Sequence, residues 1–275
     1  PQGSGISPLL FNIYAKDLPR NNPSKTIQFA DDVTHSEADK SELKVIERLE
    51  SSFQQTKSFC EDRELIINTA KTQFILFKSS HKKLQEGISI NLDGCNIQPS
   101  DHVKLLGVTL DRHLTFAQHI GDIVRKANGI LGLLQRAASH LPKQLLLLAY
   151  TALIRSHMEY ASAVFAPAAI THLKKLDTIQ KIASRIICKV PSQTHAAPLV
   201  ESLELESLEK RRNLHVVKII MNIINDNIHP GLKNMFVLST EDFRTIENNS
   251  TVRIGIRKKR FSIFAKDLAN NSNAI

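Results

Sequence analysis

Two adjacent aspartates, Asp31 and Asp32, have the residue types and spacing best suited to chemistry in this sequence. They lie within residues 26–34, TIQFADDVT, where β-forming residues flank the pair in the pattern of a hairpin. Carboxylate oxygens bind Mg²⁺, which keeps several waters and takes substrate phosphates as further ligands. Two such ions about 4 Å apart activate an attacking hydroxyl and stabilise the leaving oxygen in phosphoryl transfer. Taken alone, the pair would indicate only a solvated turn, because aspartate is a common turn residue.

The residues around the pair predict the elements that hold it. A helix is expected after a glycine-containing turn, with Ser7 suited to the cap and Pro8 to the first helical position, and it ends at Pro19. A longer helix is predicted over residues 39–61, where Leu43 begins an apolar side of helical period. Three stretches rich in β-formers follow, at residues 71–77, 88–92 and 103–110. The first part of the chain is therefore predicted to be α+β.

Beyond Asp111 the pattern becomes helical. Four segments show the period of helices with one apolar side: residues 117–138, 143–157, 170–189 and 207–227. Prolines separate several of them: Pro142, Pro167 and Pro191. We predict a separate helical domain here, followed by a polar and basic tail that is flexible or loosely docked.

The overall charge favours an anionic partner. Lys and Arg number 36 against 27 Asp and Glu, a formal net charge of +9, although a merely basic soluble surface is the alternative. The three cysteines are far apart, which indicates neither a disulfide framework nor a clustered zinc site and fits a reducing, intracellular compartment. No uncharged apolar run approaches the ~18 residues that would span a bilayer, so a membrane is not an expected partner.

Several segments resemble known motifs in the same order. Residues 1–19, PQGSGISPLLFNIYAKDLP, and residues 29–32, FADD, resemble two consecutive signature motifs of reverse transcriptases. Residues 65–77, LIINTAKTQFILF, are similar to the family's Asn-x-x-Lys-Thr motif, and residues 102–120, HVKLLGVTLDRHLTFAQHI, to its Leu-Gly segment at the primer end. Two helical segments resemble the thumb of jockey-like elements, residues 152–167 and 173–187. Together they resemble a reverse transcriptase of the jockey-like, non-LTR retrotransposon kind.

This resemblance covers most of residues 1–212 and implies a domain organisation. Residues 1–111 would be the C-terminal part of a polymerase palm, an α+β unit with the aspartate hairpin and an antiparallel sheet with packed helices. Residues 112–212 would form an all-α thumb-like domain, and residues 213–275 a helical or flexible C-terminal extension. In the family another catalytic aspartate precedes the glycine motif with which this chain opens. The fragment alone is therefore expected to be inactive.

The resemblance also implies site residues. Asp31 and Asp32 would be the metal carboxylates, with Asp31 preferred as a direct ligand. Five residues would border the nucleotide and template: Gln2, Gly3, Ser4, Phe29 and Ala30. Gly3 lacks a Cβ and would let the backbone approach a ligand, although a simple turn before a helix is the alternative. Because Phe29 ends a strand, we interpret its side chain as a core residue rather than a contact.

Further roles follow from the later motifs. Lys71 would lie near the triphosphate and stabilise the leaving pyrophosphate, with a plain surface lysine as the alternative. Asn68 is expected to fix the local turn. Leu106 and Gly107 would form the primer grip, where glycine permits close backbone approach. Basic residues of the helical part are candidates for the nucleic-acid backbone: Arg125, Lys126, Arg136, Arg155, Lys174, Lys175, Lys181 and Arg185.

The function implied by the resemblance is RNA-directed DNA polymerisation. A primer 3′-hydroxyl would attack the α-phosphate of a deoxynucleoside triphosphate, with two Mg²⁺ ions as cofactor. The implied partners are an RNA template, a DNA primer and deoxynucleoside triphosphates, in the nucleus or cytoplasm. Two alternatives remain: a non-catalytic remnant that only binds a hybrid duplex, and an RNA-dependent RNA polymerase, against which the thumb resemblance speaks.

Overall fold

The chain is α+β, with helices and small two-stranded sheets. The computed structural model describes residues 4–20, 25–79, 81 and 87–225, and the short pairs 236–237 and 255–256. It divides into two compact units, Pro1–Val103 and Lys104–Ile275. Most of the polar and basic tail predicted at the C-terminus lies outside the described residues; within it, Phe236–Val237 (β7) pairs antiparallel with Gly255–Ile256 (β8).

The first unit contains two helices and two hairpins. Its elements are α1 (Ser7–Tyr14), β1 (Lys25–Phe29), β2 (Asp32–Ser36), α2 (Glu42–Glu61), a 3₁₀ turn (Thr69–Lys71), β3 (Ile90–Leu92) and β4 (Cys95–Ile97). Helix α1 has Ile6 as its N-cap, so Ser7 is the first helical residue and not the cap that the sequence predicts. The predicted hairpin around Asp31 and Asp32 is confirmed, since β1 and β2 pair antiparallel.

A small apolar core holds the first unit together. Its buried members come from α2, from the segment after the 3₁₀ turn and from the β3 region: Ile46, Phe53, Phe74, Leu76, Ile88, Ile90 and Leu92. Leu43, predicted on the apolar side of α2, is exposed. The buried side instead continues through Thr56 and Phe59, because burial depends on which turn of the helix meets the neighbouring chain.

Residues 71–77 do not form the strand that their composition predicts. The segment begins in the 3₁₀ turn, and its ladder is reduced to a single bridge between Phe74 and Pro99, with a hydrogen bond from Ser100 N to Phe74 O of 2.7 Å. Phe74 and Leu76 are nevertheless buried. The alternating pattern therefore reports which side chains face the core, and it does not establish that the backbone is paired.

Residues 103–110 form a hairpin and not one continuous strand. Strand β5 (His102–Leu105) and strand β6 (Val108–Asp111) pair with each other. Leu106 and Gly107 make the turn between them with φ angles of +45° and +81°. Two consecutive positive φ angles are the geometry of a type I′ hairpin turn. The β-formers on both sides mask this turn in the sequence.

The second unit is mainly helical beyond β6. Its helices are α3 (Ala117–Ala137), α4 (Lys143–Ala149), α5 (Ser156–Glu159), α6 (Ser162–Phe165), α7 (Ile170–Cys188), α8 (Ala196–Ser202) and α9 (Leu208–Ile224). A π-helical segment, Tyr150–Arg155, joins α4 to α5. The four predicted helical segments are confirmed, whereas α6 and α8 are too short to show a period.

Helices α3 and α7 supply the centre of this unit's core. Fully buried side chains include Ile120 and Ala127 of α3 and Leu176 and Ala183 of α7. The small alanines let the two helices pack closely. Within the described part of the chain, no helix combines the length and the apolar character that crossing a membrane requires.

Candidate functional site

The aspartate pair lies at the tip of the β1–β2 hairpin. Phe29 and Asp32 are the last paired residues, and Ala30 and Asp31 form the two-residue turn. Ala30 has a φ of +53°, a conformation that a non-glycine residue adopts only at a cost of about 1 kcal/mol. Both aspartates are exposed. The hairpin thus presents two carboxylates to solvent from adjacent positions.

A histidine of β2, His35, connects this hairpin to α2 by side-chain hydrogen bonds. His35 Nδ1 lies 3.0 Å from Thr26 Oγ1 across the two strands, and His35 Nε2 lies 3.2 Å from Thr56 Oγ1 on α2. Burial lowers the pKa of His35, which favours the neutral ring that this bridge uses. The two partners of His35 lie 9 and 21 residues away along the chain, so no local sequence pattern indicates this role.

The donor set of the hairpin is compatible with a divalent metal. Asp31 and Asp32 supply the carboxylate oxygens that Mg²⁺ prefers, and Mg²⁺ is usually bound by one or two carboxylates together with water and phosphate. Among the described residues no group of three or more His, Cys, Asp or Glu side chains is placed to hold a metal ion. The two exposed carboxylates leave room for water and phosphate as further ligands of such an ion.

Of the residues predicted beside the nucleotide, Gln2 and Gly3 lie outside the described residues. Ser4 Oγ accepts a hydrogen bond of 3.4 Å from Ile6 N at the start of α1. Phe29 is 62% exposed, so the interpretation of its side chain as core is wrong. In a two-stranded sheet one face can remain uncovered, and a strand end gives no guarantee of burial.

Lys71 closes the 3₁₀ turn and is exposed. Asn68 caps the turn, because its Oδ1 accepts a hydrogen bond of 3.2 Å from Lys71 N and its carbonyl accepts one of 3.2 Å from Thr72 Oγ1. The predicted turn-fixing role of Asn68 is confirmed. The hydrogen bonds define the backbone position of Lys71 and leave its ammonium group exposed.

The basic residues of the helical unit divide into two groups. Arg155 and Arg185 have internal partners: Arg155 Nε lies 3.6 Å from Glu159 Oε1, and Arg185 Nε donates to Thr194 O at 2.8 Å. The remaining candidates are exposed on α3 and α7, and one of them, Arg125, also pairs with Asp122 at 2.8 Å: Arg125, Lys126, Arg136, Lys174, Lys175 and Lys181. The exposed group is available for a polyanion, whereas the first two stabilise the fold.

Comparison with known proteins agrees with the motifs. Residues 1–110 match the family model "Reverse transcriptase (RNA-dependent DNA polymerase)". The chain is 25% identical over 244 residues to the RNA-directed DNA polymerase from mobile element jockey of Drosophila melanogaster, a match that covers 84% of this chain and 26% of that protein. It is 24% identical over 225 residues to the probable RNA-directed DNA polymerase from transposon X-element of the same species, covering 78% of this chain and 24% of that protein.

A third relative shows the same extent of similarity. The probable RNA-directed DNA polymerase from transposon BS of Drosophila melanogaster is 25% identical over 228 residues, with 78% of this chain and 25% of that protein covered. The chain thus spans about a quarter of the length of these relatives. No solved structure matches the chain significantly. Over most of its length the chain is thus similar to the RNA-directed DNA polymerases of jockey-like mobile elements, and its residues 1–110 match the reverse transcriptase family.

Proposed function

We propose that the complete protein is an RNA-directed DNA polymerase and that this chain carries part of its polymerase site. The observation that carries the proposal is the exposed Asp31–Asp32 pair, at the tip of a hairpin fastened to α2, within the region that matches the reverse transcriptase family. In the reaction the primer 3′-oxygen bonds to the α-phosphorus of a deoxynucleoside triphosphate. The bond to the β-phosphate oxygen breaks, pyrophosphate leaves, and the hydroxyl proton is lost.

The aspartates would hold the metal. When bound, two Mg²⁺ ions would lower the pKa of the primer hydroxyl and stabilise charge on the leaving oxygen. Asp31, in the turn, would be the preferred direct ligand, and Asp32, at the first position of β2, would supply the second carboxylate. The paired strands of the hairpin restrain the backbone from which both carboxylates project.

The neighbouring residues would position the nucleotide. Gln2, Gly3 and Ser4 precede α1, and Phe29 and Ala30 precede the aspartates, so these backbone segments would border the base and sugar. Lys71 would approach the triphosphate with its exposed ammonium group and offset negative charge on the departing pyrophosphate. A lysine can serve here because it needs only to supply a mobile positive charge.

The later part of the chain would hold the primer and template. The Leu106–Gly107 turn would be the primer grip. The exposed lysines and arginines of α3 and α7 would contact phosphates of the RNA/DNA hybrid, and the net charge of +9 supports a polyanionic partner. In this proposal residues 1–111 are part of the palm, residues 112–212 are the thumb, and the protein works inside the cell, in the nucleus or cytoplasm.

A non-catalytic remnant is the second candidate. It rests on the same basic helical surface, which would bind a hybrid duplex whether or not the hairpin site is active. Binding without nucleotide incorporation would distinguish it from the polymerase.

The test is primer extension with an oligo-dT primer on poly-A RNA, with dTTP and Mg²⁺. Two proteins are compared: this chain alone, and a chimera in which the chain replaces the matching part of the Drosophila melanogaster jockey polymerase. Asp31→Asn and Asp32→Asn in the chimera should each reduce extension by at least about 100-fold, because changing a direct ligand exceeds the 10–100-fold losses typical of outer partners. Asp62→Asn, an exposed aspartate at the end of α2, is the matched control and should leave extension unchanged.

The outcomes separate the candidates. An active chimera that loses activity in both hairpin variants supports the polymerase. A chimera that binds the hybrid but incorporates no nucleotide supports the remnant. Efficient incorporation of UTP in place of dTTP would instead indicate an RNA-dependent RNA polymerase.

A further inference from the structure

The turn between β5 and β6 has an unusual backbone conformation, which contacts from elsewhere in the chain must stabilise. Leu106 has a φ of +45° although it carries a branched side chain, and Gly107 has a φ of +81°. The left-handed region costs a non-glycine residue about 1 kcal/mol. The hairpin is short, with four residues in each strand. The backbone hydrogen bonds between its strands therefore restrain the turn only weakly.

One side chain from the helical region contacts this turn. The hydroxyl of Tyr160 donates a hydrogen bond of 2.8 Å to the carbonyl oxygen of Leu106. Its ring lies against the next residue, since a Cβ added to Gly107 would stand 3.2 Å from Tyr160 Cε1 and 3.6 Å from the hydroxyl oxygen. Tyr160 therefore binds one turn residue by a polar contact and covers the other with its ring.

The backbone of Tyr160 is itself well anchored. It follows α5 directly, and Ala161 after it has a φ of +52°, which turns the chain into α6. On one side of the corner Glu159 forms a two-point ion pair with Arg211 of α9, with 2.9 Å between Arg211 Nη2 and Glu159 Oε2. On the other side the buried Ser162 hydroxyl lies 2.7 Å from His215 Nδ1. Tyr160 projects from this fixed corner and is 56% exposed.

We propose that Tyr160 is a positioning residue for the primer end, acting through the Leu106–Gly107 turn. This inference rests on the proposed function, in which that turn grips the primer. The hydroxyl engages the Leu106 carbonyl and fixes the direction of the peptide, while the ring prevents the turn from collapsing toward the helices. The turn then offers the primer terminus one backbone surface instead of several.

Two measurements on Tyr160→Phe test the proposal. The first is hydrogen exchange of peptide 105–109 in this chain, which should become about fivefold faster when the hydroxyl–carbonyl bond is lost. The second is single-nucleotide addition by the chimera at saturating dTTP, which should slow by about fivefold while the Kd for the hybrid stays unchanged, because the exposed basic helices set that affinity. Tyr160→Ala, which also removes the ring, should enlarge both effects.

Tyr150→Phe is the matched control. Tyr150 is fully buried, and its hydroxyl donates to Gln180 Oε1 at 3.0 Å inside the helical core. Losing that hydroxyl should lower the melting temperature but leave the exchange of peptide 105–109 and the rate of nucleotide addition as in the parent. A merely structural role for Tyr160 would give the same result as Tyr150→Phe, and this would overturn the proposal.

The two proposals fail in different ways. An active chimera whose rate is unaffected by Tyr160→Phe removes the positioning role and leaves the proposed function standing. If the parent chimera incorporates nothing, the proposed function fails, and exchange of peptide 105–109 alone decides whether Tyr160 holds the turn; unchanged exchange rejects that as well.

Discussion

The carboxylate of Asp111 accepts a hydrogen bond of 2.7 Å from the backbone N–H of Phe116, the residue that caps α3. The same carboxylate accepts hydrogen bonds from His113 N at 3.1 Å, from Thr115 N at 2.9 Å and from the Thr115 hydroxyl at 3.0 Å. One buried side chain thus accepts hydrogen bonds from three backbone N–H groups and one hydroxyl of the loop between β6 and α3. This loop connects the proposed primer-grip hairpin to the longest helix of its unit.

Asp111→Ala should lower the free energy of unfolding by about 2–4 kcal/mol, because it leaves the buried Phe116 N–H and the part-buried N–H groups of His113 and Thr115 without their acceptor. Urea unfolding followed by circular dichroism measures the change. Asp122→Ala is the control, since Asp122 contacts Arg125 at 2.8 Å and Gln118 at 3.2 Å through exposed side chains, and it should cost less than ~1 kcal/mol. Equal losses in the two variants would contradict the capping role.

Asp111 should also make the folded protein less stable at acidic pH. Burial alone would raise its pKa, but the hydrogen bonds from Thr115, Phe116 and His113 outweigh burial and lower the pKa. A carboxyl whose pKa is lower in the folded state contributes stability that is present above its unfolded pKa, near 3.9, and is lost as the pH falls through the folded pKa.

His119 should make stability pH-dependent in a different range. Its Nδ1 accepts a hydrogen bond of 3.3 Å from Thr109 N, and its buried ring packs edge-on against Phe165. Burial lowers its pKa from 6.5, Asp122 opposes the shift and Lys104 adds to it. The neutral ring is therefore the native form, so the stability is complete above pH 6.5 and declines as the pH falls through the lowered pKa.

His119→Asn replaces Nδ1 with an oxygen acceptor that does not titrate, so it should flatten the dependence of the melting temperature on pH between 7 and 5. His140→Asn, at an exposed position after α3, is the control and should keep the parent slope. The contribution of His35 acts in the same direction in all three proteins and cancels in the comparison. An unchanged slope in His119→Asn would reject the assignment.

Local sequence was enough to predict elements whose signals are periodic or motif-bound. The Asp31–Asp32 hairpin follows from β-formers on both sides of a turn, and α3 and α7 follow from long apolar periods. The segment after Lys71 shows where this fails. Its alternation arises because Phe74 and Leu76 enter the core, and nothing local distinguishes a buried extended segment from a paired strand.

The supporting residues of the candidate site could not be predicted from local sequence. The role of His35 depends on its contact with Thr56 of α2. The role of Tyr160 depends on the hydrogen bond from its hydroxyl to the Leu106 carbonyl, 54 residues earlier in the sequence. Arg185 is a third case. Its charge alone suggests a phosphate contact, but in the structure its Nε donates a hydrogen bond to Thr194 O. Such contacts are set by tertiary packing, which no spacing rule encodes.

Replacing either of two glycines in the second unit by alanine should change the free energy of unfolding, and the two changes should have opposite signs. Gly107 has a φ of +81° and the Tyr160 ring 3.2 Å from its added Cβ, so Gly107→Ala combines backbone strain with a steric contact and should cost about 1–3 kcal/mol. Gly129 lies inside α3 with open space around its Cβ, so Gly129→Ala should stabilise by about 1 kcal/mol. Thermal unfolding of the two variants checks the sign, and stabilisation by Gly107→Ala would contradict the turn geometry.

The exposed lysines of α7 should determine how salt weakens binding to an RNA/DNA hybrid. Lys174, Lys175 and Lys181 are exposed on one helix, so each phosphate that they neutralise releases counterions. The triple alanine variant should reduce the slope of log K against log salt by roughly 2–3, at about 0.7–0.9 per contact. Fluorescence anisotropy of a labelled hybrid between 50 and 200 mM salt measures this slope.

Lys210→Ala is the control for this prediction, because Lys210 of α9 already pairs at 3.0 Å with Glu206, which precedes that helix. It removes one positive charge from the protein and should leave the slope nearly unchanged. If the triple variant weakens binding at every salt concentration without changing the slope, its lysines affect the fold and not the phosphates. The hybrid would then bind elsewhere, and the exposed basic group on α3, with Lys126 and Arg136, becomes the next surface to substitute.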